Sequence, residues 1–426
     1  MVMTVMAKWL FIPAFLFLIS KQDSSAQIPW HPLQSEKDLD MLVKEIGKAR
    51  VVLLGESTHG THEFYEWRSA ITKKLIEEKG FDLIAIEGDW VDSRKLDQFI
   101  KGEQQDSSSV IELLKQYDRW PSSMWGNYEM AGLVQWLNSY NQTMASKNKI
   151  GFYGLDLYSF WEWTNQDIPV QDSLLQNAIQ QVRKNFAGYN NDALKYADAV
   201  RKTNTNHSAS TQNLWRIVQK DIEQWPKDET RFVWQQQALL ALQGERYFRT
   251  MVSDRVRSWD IRENYMAETI KRLLDFYGSH SKAVIWMHNG HASDAHFSQM
   301  AEAGNTSVGE ILKKQMGARQ VFGIGFGTHK GWVLAGYYWN APLIKIEVPA
   351  ARTGSWENIL HELGPGNKII LSREIKNNKA MNQWIAIRSI GAANNTIYGT
   401  AIIPKRFDAF VYIDSTSAIR PVKNLP

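Results

Sequence analysis

Five apolar runs punctuate the chain, and each stops at polar residues. "ARVVLLGE" (Ala49–Glu56) ends at Glu56, "FDLIAIEGDW" (Phe81–Trp90) at Glu87, and "KIGFYGLDL" (Lys149–Leu157) at Asp156. "SKAVIWMHNGH" (Ser281–His291) ends at His288, and "RQVFGIGFGTH" (Arg319–His329) near His329. The first four are almost continuously apolar instead of alternating, the pattern of strands covered by helices on both faces. Between them, segments such as Thr61–Lys79 and Tyr128–Tyr140 repeat at helical spacing. Strand, helix, strand, helix predicts an α/β fold with a mostly parallel sheet flanked by helices and right-handed crossovers.

The strand signal disappears from about residue 159 to 254. That stretch reads as helices ("LLQNAIQQVRKNF", "NDALKYADAVRK", "STQNLWRIVQKDIEQW", "FVWQQQALLALQGERYF"). A large helical insertion or cap over 159–254 therefore divides a first half of the α/β core, 27–158, from a second half, 255–426. The last third returns to short strands: "GWVLAGYYW", "LIKIEV", "KIILS", "WIAIRSI" and "FDAFVYID". Ser/Asn-rich patches near Ser107, Asn204 and Asn394 read as loops.

Composition narrows the function classes. A net charge of +4 without a long like-charge run gives no reason to expect nucleic acid or an anionic membrane as partner. The absence of cysteine removes disulfides, thiolate metal sites, Fe–S clusters and cysteine nucleophiles. With 18 Trp, 17 Phe and 15 Tyr, the chain has aromatics to spare for the wall of a site. Residues 1–26 read as a secretory signal peptide: Lys8, an apolar stretch from Trp9 to Ile19, and Ser24-Ser25-Ala26 as cleavage site. The expectation is an exported, periplasmic protein with no membrane span after processing. An uncleaved anchor is the alternative, although the apolar run is short of the ~20 residues of a span; without the signal the chain would be cytoplasmic.

In open α/β sheets, ligands bind outside the carboxyl ends of the strands. Four strand ends here carry Glu56 and His59, Glu87, Asp156, and His288 and His291. A parallel sheet brings them to one edge. Two arginines sit where core residues belong. Arg68 falls inside the stripe Phe64, Trp67, Ile71, Leu75, and Arg262 inside Trp259, Met266, Ile270, Leu273, Tyr277. A buried guanidinium needs a carboxylate, and Glu56, Glu87 and Asp156 are at hand. Structural ion pairs or snorkelling at a helix end are the plainer readings.

The histidines come as two His-x-x-His pairs, His59/His62 and His288/His291. One reading is a divalent metal held by paired histidines and nearby acids. The other is metal-free acid–base chemistry, in which one histidine takes a proton from water and the second, with arginine, steadies an oxyanion. HExxH is absent, since "HGTHE" places the glutamate after the second histidine. No G-x-S-x-G elbow surrounds Ser57, "GIGFG" (Gly323–Gly327) lacks the third glycine of a dinucleotide fingerprint, and no Walker A sequence occurs.

Five segments together resemble the erythromycin esterase family, which also includes succinoglycan-biosynthesis-like proteins. They are "GESTHGTHEFYEWR" (55–68), "AIEGDW" (85–90), "GLDLYS" (154–159), "RENYMAE" (262–268) and "WMHNGHASD" (286–294), with "GTHKGWVLA" and "FDAFVYID" similar to the family's ending. The resemblance implies hydrolysis of a macrolactone ester, hence resistance to erythromycin-type antibiotics, with a small-molecule macrolide as partner and no cofactor or essential metal. It implies His59 as candidate base, Glu56 and Glu87 as the carboxylates holding base or water, and His288 as second essential histidine. Orienting or oxyanion-steadying roles fall to Arg68, Arg262, His291, His62 and Asp156. The 159–254 helices would cap the cleft, with Trp125, Trp161, Trp163 and Trp234 as candidate aromatic walls and ordinary core as the alternative. Oligomeric state is not legible in the sequence.

Overall fold

The computed structural model describes residues 28–103, 109–165, 172–204, 206–221, 224–391 and 397–423. The signal peptide read in residues 1–26 lies outside them. Among the described residues, no helix is long and apolar enough to cross a membrane.

Eleven strands form among the described residues: β1 (His31–Pro32), β2 (Val51–Leu54), β3 (Leu83–Asp89), β4 (Gly151–Asp156), β5 (Ala283–Trp286), β6 (Val321–Ala335), β7 (Ile344–Val348), β8 (Lys368–Leu371), β9 (Ile385–Ser389), β10 (Ile397–Ala401) and β11 (Ala409–Thr416). Nine make one sheet in the order β1-β8-β11-β6-β2-β5-β3-β4, with β7 added to β6, while β9 and β10 pair separately. The run from β11 through β4 is parallel; β8 on β11, β1 on β8 and β7 on β6 are antiparallel. The four strands read as doubly covered are all parallel and lie side by side. β5, which follows the long helical segment, inserts between β2 and β3. The two runs "RQVFGIGFGTH" and "GWVLA" form one strand, β6, so His329 lies within a strand and not at its end. It is buried there and stacked on His361 at 3.9 Å.

Strand period explains the double burial. Val52, Leu54, Ile84, Ile86, Val284 and Trp286 point into one core, under the helices His62–Lys79, Trp90–Lys101 and Tyr128–Gln142. Val51, Leu53, Leu83, Ala85, Ala283 and Ile285 point into the other, under the helices Glu229–Thr250 and Arg255–Tyr277. The expected insertion is helical where described, in Phe160–Asn165, Ser173–Phe186, Ala193–Thr203, Ser208–Asp221 and Glu229–Thr250. Its apolar residues Leu175, Val182, Phe186, Leu214 and Leu239 belong to the same core as Val51 and Leu53. The insertion is therefore a layer on the sheet.

The turn after β2 depends on a close backbone approach. Gly60 accepts hydrogen bonds from Leu334 N and Ile419 N, both at 3.0 Å. A Cβ there would meet Leu334 O at 1.8 Å, whereas one at Gly132, on the exposed face of the Tyr128–Gln142 helix, meets nothing within 4 Å. Gly60→Ala is expected to destabilise by about 3 kcal/mol or more through backbone displacement. Gly132→Ala is expected to stabilise by about 0.5–1 kcal/mol, as alanine does in place of glycine in a helix. Urea denaturation of both variants checks the contrast.

Candidate active site

The carboxyl ends of β2, β5, β3 and β4 deliver the acids and histidines to one edge. Glu56 leaves β2 fully buried and divides its two oxygens. Oε1 accepts from His59 Nδ1 at 2.8 Å. Oε2 faces Arg68 Nη2 at 2.6 Å. Arg68 is wholly buried in the helix stripe; its guanidinium lies 4.6 Å from the Tyr65 ring and 4.4 Å from that of Trp286. Aromatic faces thus replace water around this cation. The turn itself is held by Ile390 N and Gly391 N, which donate to Ser57 O, and by His59 N, which donates to Gly391 O.

Glu87, at the end of β3, collects donors from two other elements. Its Oε2 accepts the backbone N–H of His288 at 2.7 Å. Its Oε1 accepts from Arg262 Nη2 at 2.8 Å and lies 3.1 Å from His291 Nε2. Arg262 reaches out of the Arg255–Tyr277 helix and is also gripped by Asp156, with Nε–Oδ1 at 3.0 Å and Nη2–Oδ2 at 2.5 Å. The neighbouring Glu263 holds His291 Nδ1 at 2.5 Å through Oε1, while its Oε2 accepts from Val308 N.

These contacts set the histidines to different protonation states. Burial works against charging His59, but the Glu56 hydrogen bond and the charge of Glu87 outweigh it and hold the ring above the ordinary value. Burial likewise opposes a charge on His291, yet Glu263 and Glu87 raise it to about 9 against the repulsion of Arg262. His291 is then an imidazolium that donates to Glu263 and Glu87, and Arg262, whose Nη1 lies 3.1 Å from His291 Nε2, is a second cation sharing the same Glu87 oxygen through its Nη2. His288 goes the other way, to about 3, through burial and the repulsion of His59, with Glu87 only partly compensating. Its Nδ1 accepts from Gly290 N at 3.1 Å, so the proton sits on Nε2, 3.3 Å from Ser57 O and 3.4 Å from Ser389 Oγ. Glu87 is buried, which would raise its pKa, but His291, His59 and Arg262 reverse this and hold it well below the ordinary value.

His59, Glu87, Arg262, His288 and His291 border one cavity of about 640 Å³. Glu56, Arg68 and Asp156 stand behind them as buried partners. His62 is not brought to the cavity. Its ring turns to Glu129, with Nδ1–Oε1 at 2.7 Å, and fastens the start of its helix to the Tyr128–Gln142 helix. Both His-x-x-His pairs are thus split: His59 and His62 serve different carboxylates, and only His291 of the second pair touches one through its side chain. No group of three or more His, Asp or Glu in a metal-holding arrangement occurs among the described residues.

The expected aromatic walls need correction. Trp125, Trp161, Trp163 and Trp234 are core residues, at most 4% exposed. Trp125 contributes indirectly, its indole donating to Glu87 O at 2.8 Å. No described residue of 159–254 borders the cavity, because those helices cover the sheet's face and not its edge. Trp120, Trp259 and Trp339 are the walls, with Met300, Ile387 and Ile390. Trp339 packs on Trp120 at 4.2 Å, and Trp259 stacks on His291 at 4.8 Å. Glu263 and Arg406 were also missed. The pairing of Arg262 with an adjacent acid on a buried helix was the available signal for Glu263; Arg406, beside Lys405 in the short connection "PKRFD", falls in no helical stripe that would mark it.

The family model described as erythromycin esterase matches residues 76–416. Erythromycin esterase type II of Escherichia coli is 32% identical over 127 residues, 30% of this chain and 28% of that protein, so the alignment spans less than a third of that relative. The putative hydrolase YbfO of Bacillus subtilis (strain 168) is 20% identical over 327 residues, 70% of this chain and 69% of that protein. The crystal structure of a succinoglycan biosynthesis protein superposes with a TM-score of 0.73 at 19% identity, covering 95% of this chain and 99% of that one. At such identity the likeness is one of fold.

NMR titration of the histidine rings is expected to show His288 neutral down to about pH 4 and His291 charged past pH ~8. Because the His291 value is raised on folding, its stabilisation, on the order of 3 kcal/mol, is complete below the unfolded value and disappears as pH rises through about 9. Glu263→Gln should flatten that alkaline loss in Tm.

Proposed function

The chain belongs to the erythromycin esterase family, and on that premise we propose that it is a hydrolase that opens the macrolactone ester of erythromycin-type macrolides with a water activated by His59. The carrying observation is the asymmetry of the two histidines at the cavity. Glu56 fixes the proton of His59 on Nδ1, which turns the basic Nε2 to the cavity. His288 has no carboxylate on its ring and stays neutral with its proton on Nε2. One ring is built to take a proton and the other to donate a hydrogen bond.

The reaction runs in two steps. His59 Nε2 removes a proton from water as the oxygen adds to the ester carbonyl. The oxyanion that forms is met by the Nε2–H of His288 and by the positive field of Arg262 and His291, already fixed by their carboxylates. Collapse of the tetrahedral intermediate breaks the C–O bond, and the departing alkoxide takes the proton back from His59. Products are a carboxylic acid and an alcohol on one opened chain. The Trp120, Trp259 and Trp339 wall offers apolar area for a large ring. Two supports favour a metal-free route: the split His-x-x-His pairs and the assignment of each acid to a cation. Residues 1–26 support export, which would place hydrolysis outside the cytoplasm.

The test is mass spectrometry of erythromycin incubated with the purified protein, with and without EDTA. A gain of one water that survives EDTA is expected. Loss of the gain with EDTA would make the histidines ligands, and no gain under either condition would move the protein to a substrate nearer its succinoglycan-named structural relative. His59→Ala is expected to lower kcat by about 10²–10⁴-fold with the fold retained. Since base action needs neutral His59, and its pKa is raised, kcat/KM should climb through a pH above the ordinary histidine value. In Glu56→Gln that limb should shift to lower pH as the rate falls.

A further inference from the structure

Three arginines stand at or behind this site, and two are neutralised. Arg68 faces Glu56, and Arg262 faces Asp156 and Glu87. The third, Arg406, is only 8% exposed and borders the same cavity. Its Nε donates to Ser293 Oγ at 3.0 Å and its Nη2 to Asn289 O at 3.4 Å. Both partners are uncharged, and no carboxylate lies within 4.0 Å of it among the described residues. The acid whose charge it feels most is Glu357, itself buried and pushed up to about 7, with one oxygen, Oε1, accepting from Arg388 N. Burial pulls Arg406 down to about 10, offset only in part by the charge of Glu357.

A guanidinium removed from water without a carboxylate is costly. It is held here by a hydrogen bond to the residue next to His288, which places it beside the chemistry. Gln299, Gly399 and Thr400, which line the same cavity, bring no negative charge to it. Glu87 cannot serve, since Arg262, His291 and the His288 N–H already occupy it.

We propose that Arg406 is a carboxylate-binding group of the cavity, its missing counter-charge supplied by a ligand. The carboxylate has two sources: the acid that ester hydrolysis releases, or one carried by the substrate beside its ester. The inference deepens the esterase reading and rests on it for the first source, while the anion site itself rests on the cavity alone.

The probe is hexanoate against hexanamide, equal in length and different in charge, titrated calorimetrically into the full-length protein. Hexanoate is expected to bind at least tenfold tighter. Arg406→Gln should remove that preference, and Arg406→Lys should keep most of it. Equal binding of acid and amide by the wild type, or an unchanged preference in a folded Arg406→Gln, overturns the proposal. Should Arg406→Gln not fold, the acid–amide contrast in the wild type and in Arg406→Lys decides. Competitive inhibition by the ring-opened acid identifies the product as source, and faster turnover of a dicarboxylic half-ester than of its methyl ester identifies the substrate. Hexanoate preference without macrolide turnover defeats the macrolide reading and leaves the anion site. Macrolide turnover without hexanoate preference does the reverse.

Discussion

Everything at this sheet edge hangs on Glu87. Its carboxylate takes the backbone N–H of His288 from β5, a guanidinium N–H from Arg262, and faces the ring of His291. A single buried charge therefore joins β3, β5 and the Arg255–Tyr277 helix, and it fixes the direction in which the chain leaves β5. Buried ion pairs of this kind are poor sources of net stability, because desolvation consumes most of the Coulomb gain. Their value lies in direction. Removing one member would strand its partners at a cost of about 3–5 kcal/mol, so the groups can be fixed only as a set.

Glu56 repeats the device on a smaller scale. Arg68 holds one oxygen, and the other is left to define the tautomer of His59. A carboxylate–imidazole pair suits general-base chemistry, and the Arg68 cation behind it gives the fully buried carboxylate a counter-charge. His288 is denied such a partner and pressed towards neutrality by burial and then by His59, 5.4 Å away between ring centroids. Two histidines that look equivalent along the chain are thus made unequal by which of them meets an acid.

The sheet was legible because strands buried on both faces write themselves as unbroken apolar runs. The strand-end acids and the two arginines were legible because charge in an apolar pattern is conspicuous. What stayed hidden was direction. His62 sits three residues from His59 and looks like its companion, but at the first turn of a helix three positions place it over a different neighbour, Glu129. The tryptophans of the helical insertion were attractive for a wall, yet a helix layer over a sheet face buries its aromatics in that face. The wall comes instead from Trp120 and Trp339, on connections that carry no periodic signal, and from Trp259, in the first turns of the Arg255–Tyr277 helix.

That division has a consequence for the family. The acids, histidines and paired arginines descend from β2, β3, β4, β5 and two long helices, His62–Lys79 and Arg255–Tyr277, where burial on every side restricts change. Of the residues that wall the cavity, Trp120, Trp339, Met300 and Ile390 lie on connections between elements. Loops can be rebuilt without disturbing a packed core. The buried charged set and the cavity wall are therefore carried by different parts of one chain, which permits relatives of the same fold to keep the first while exchanging the second. Arg406 stands at the boundary: it is buried like the first group, yet it borders the cavity and meets no carboxylate within 4.0 Å among the described residues, so the proposed anion site joins the fixed charges to the variable wall.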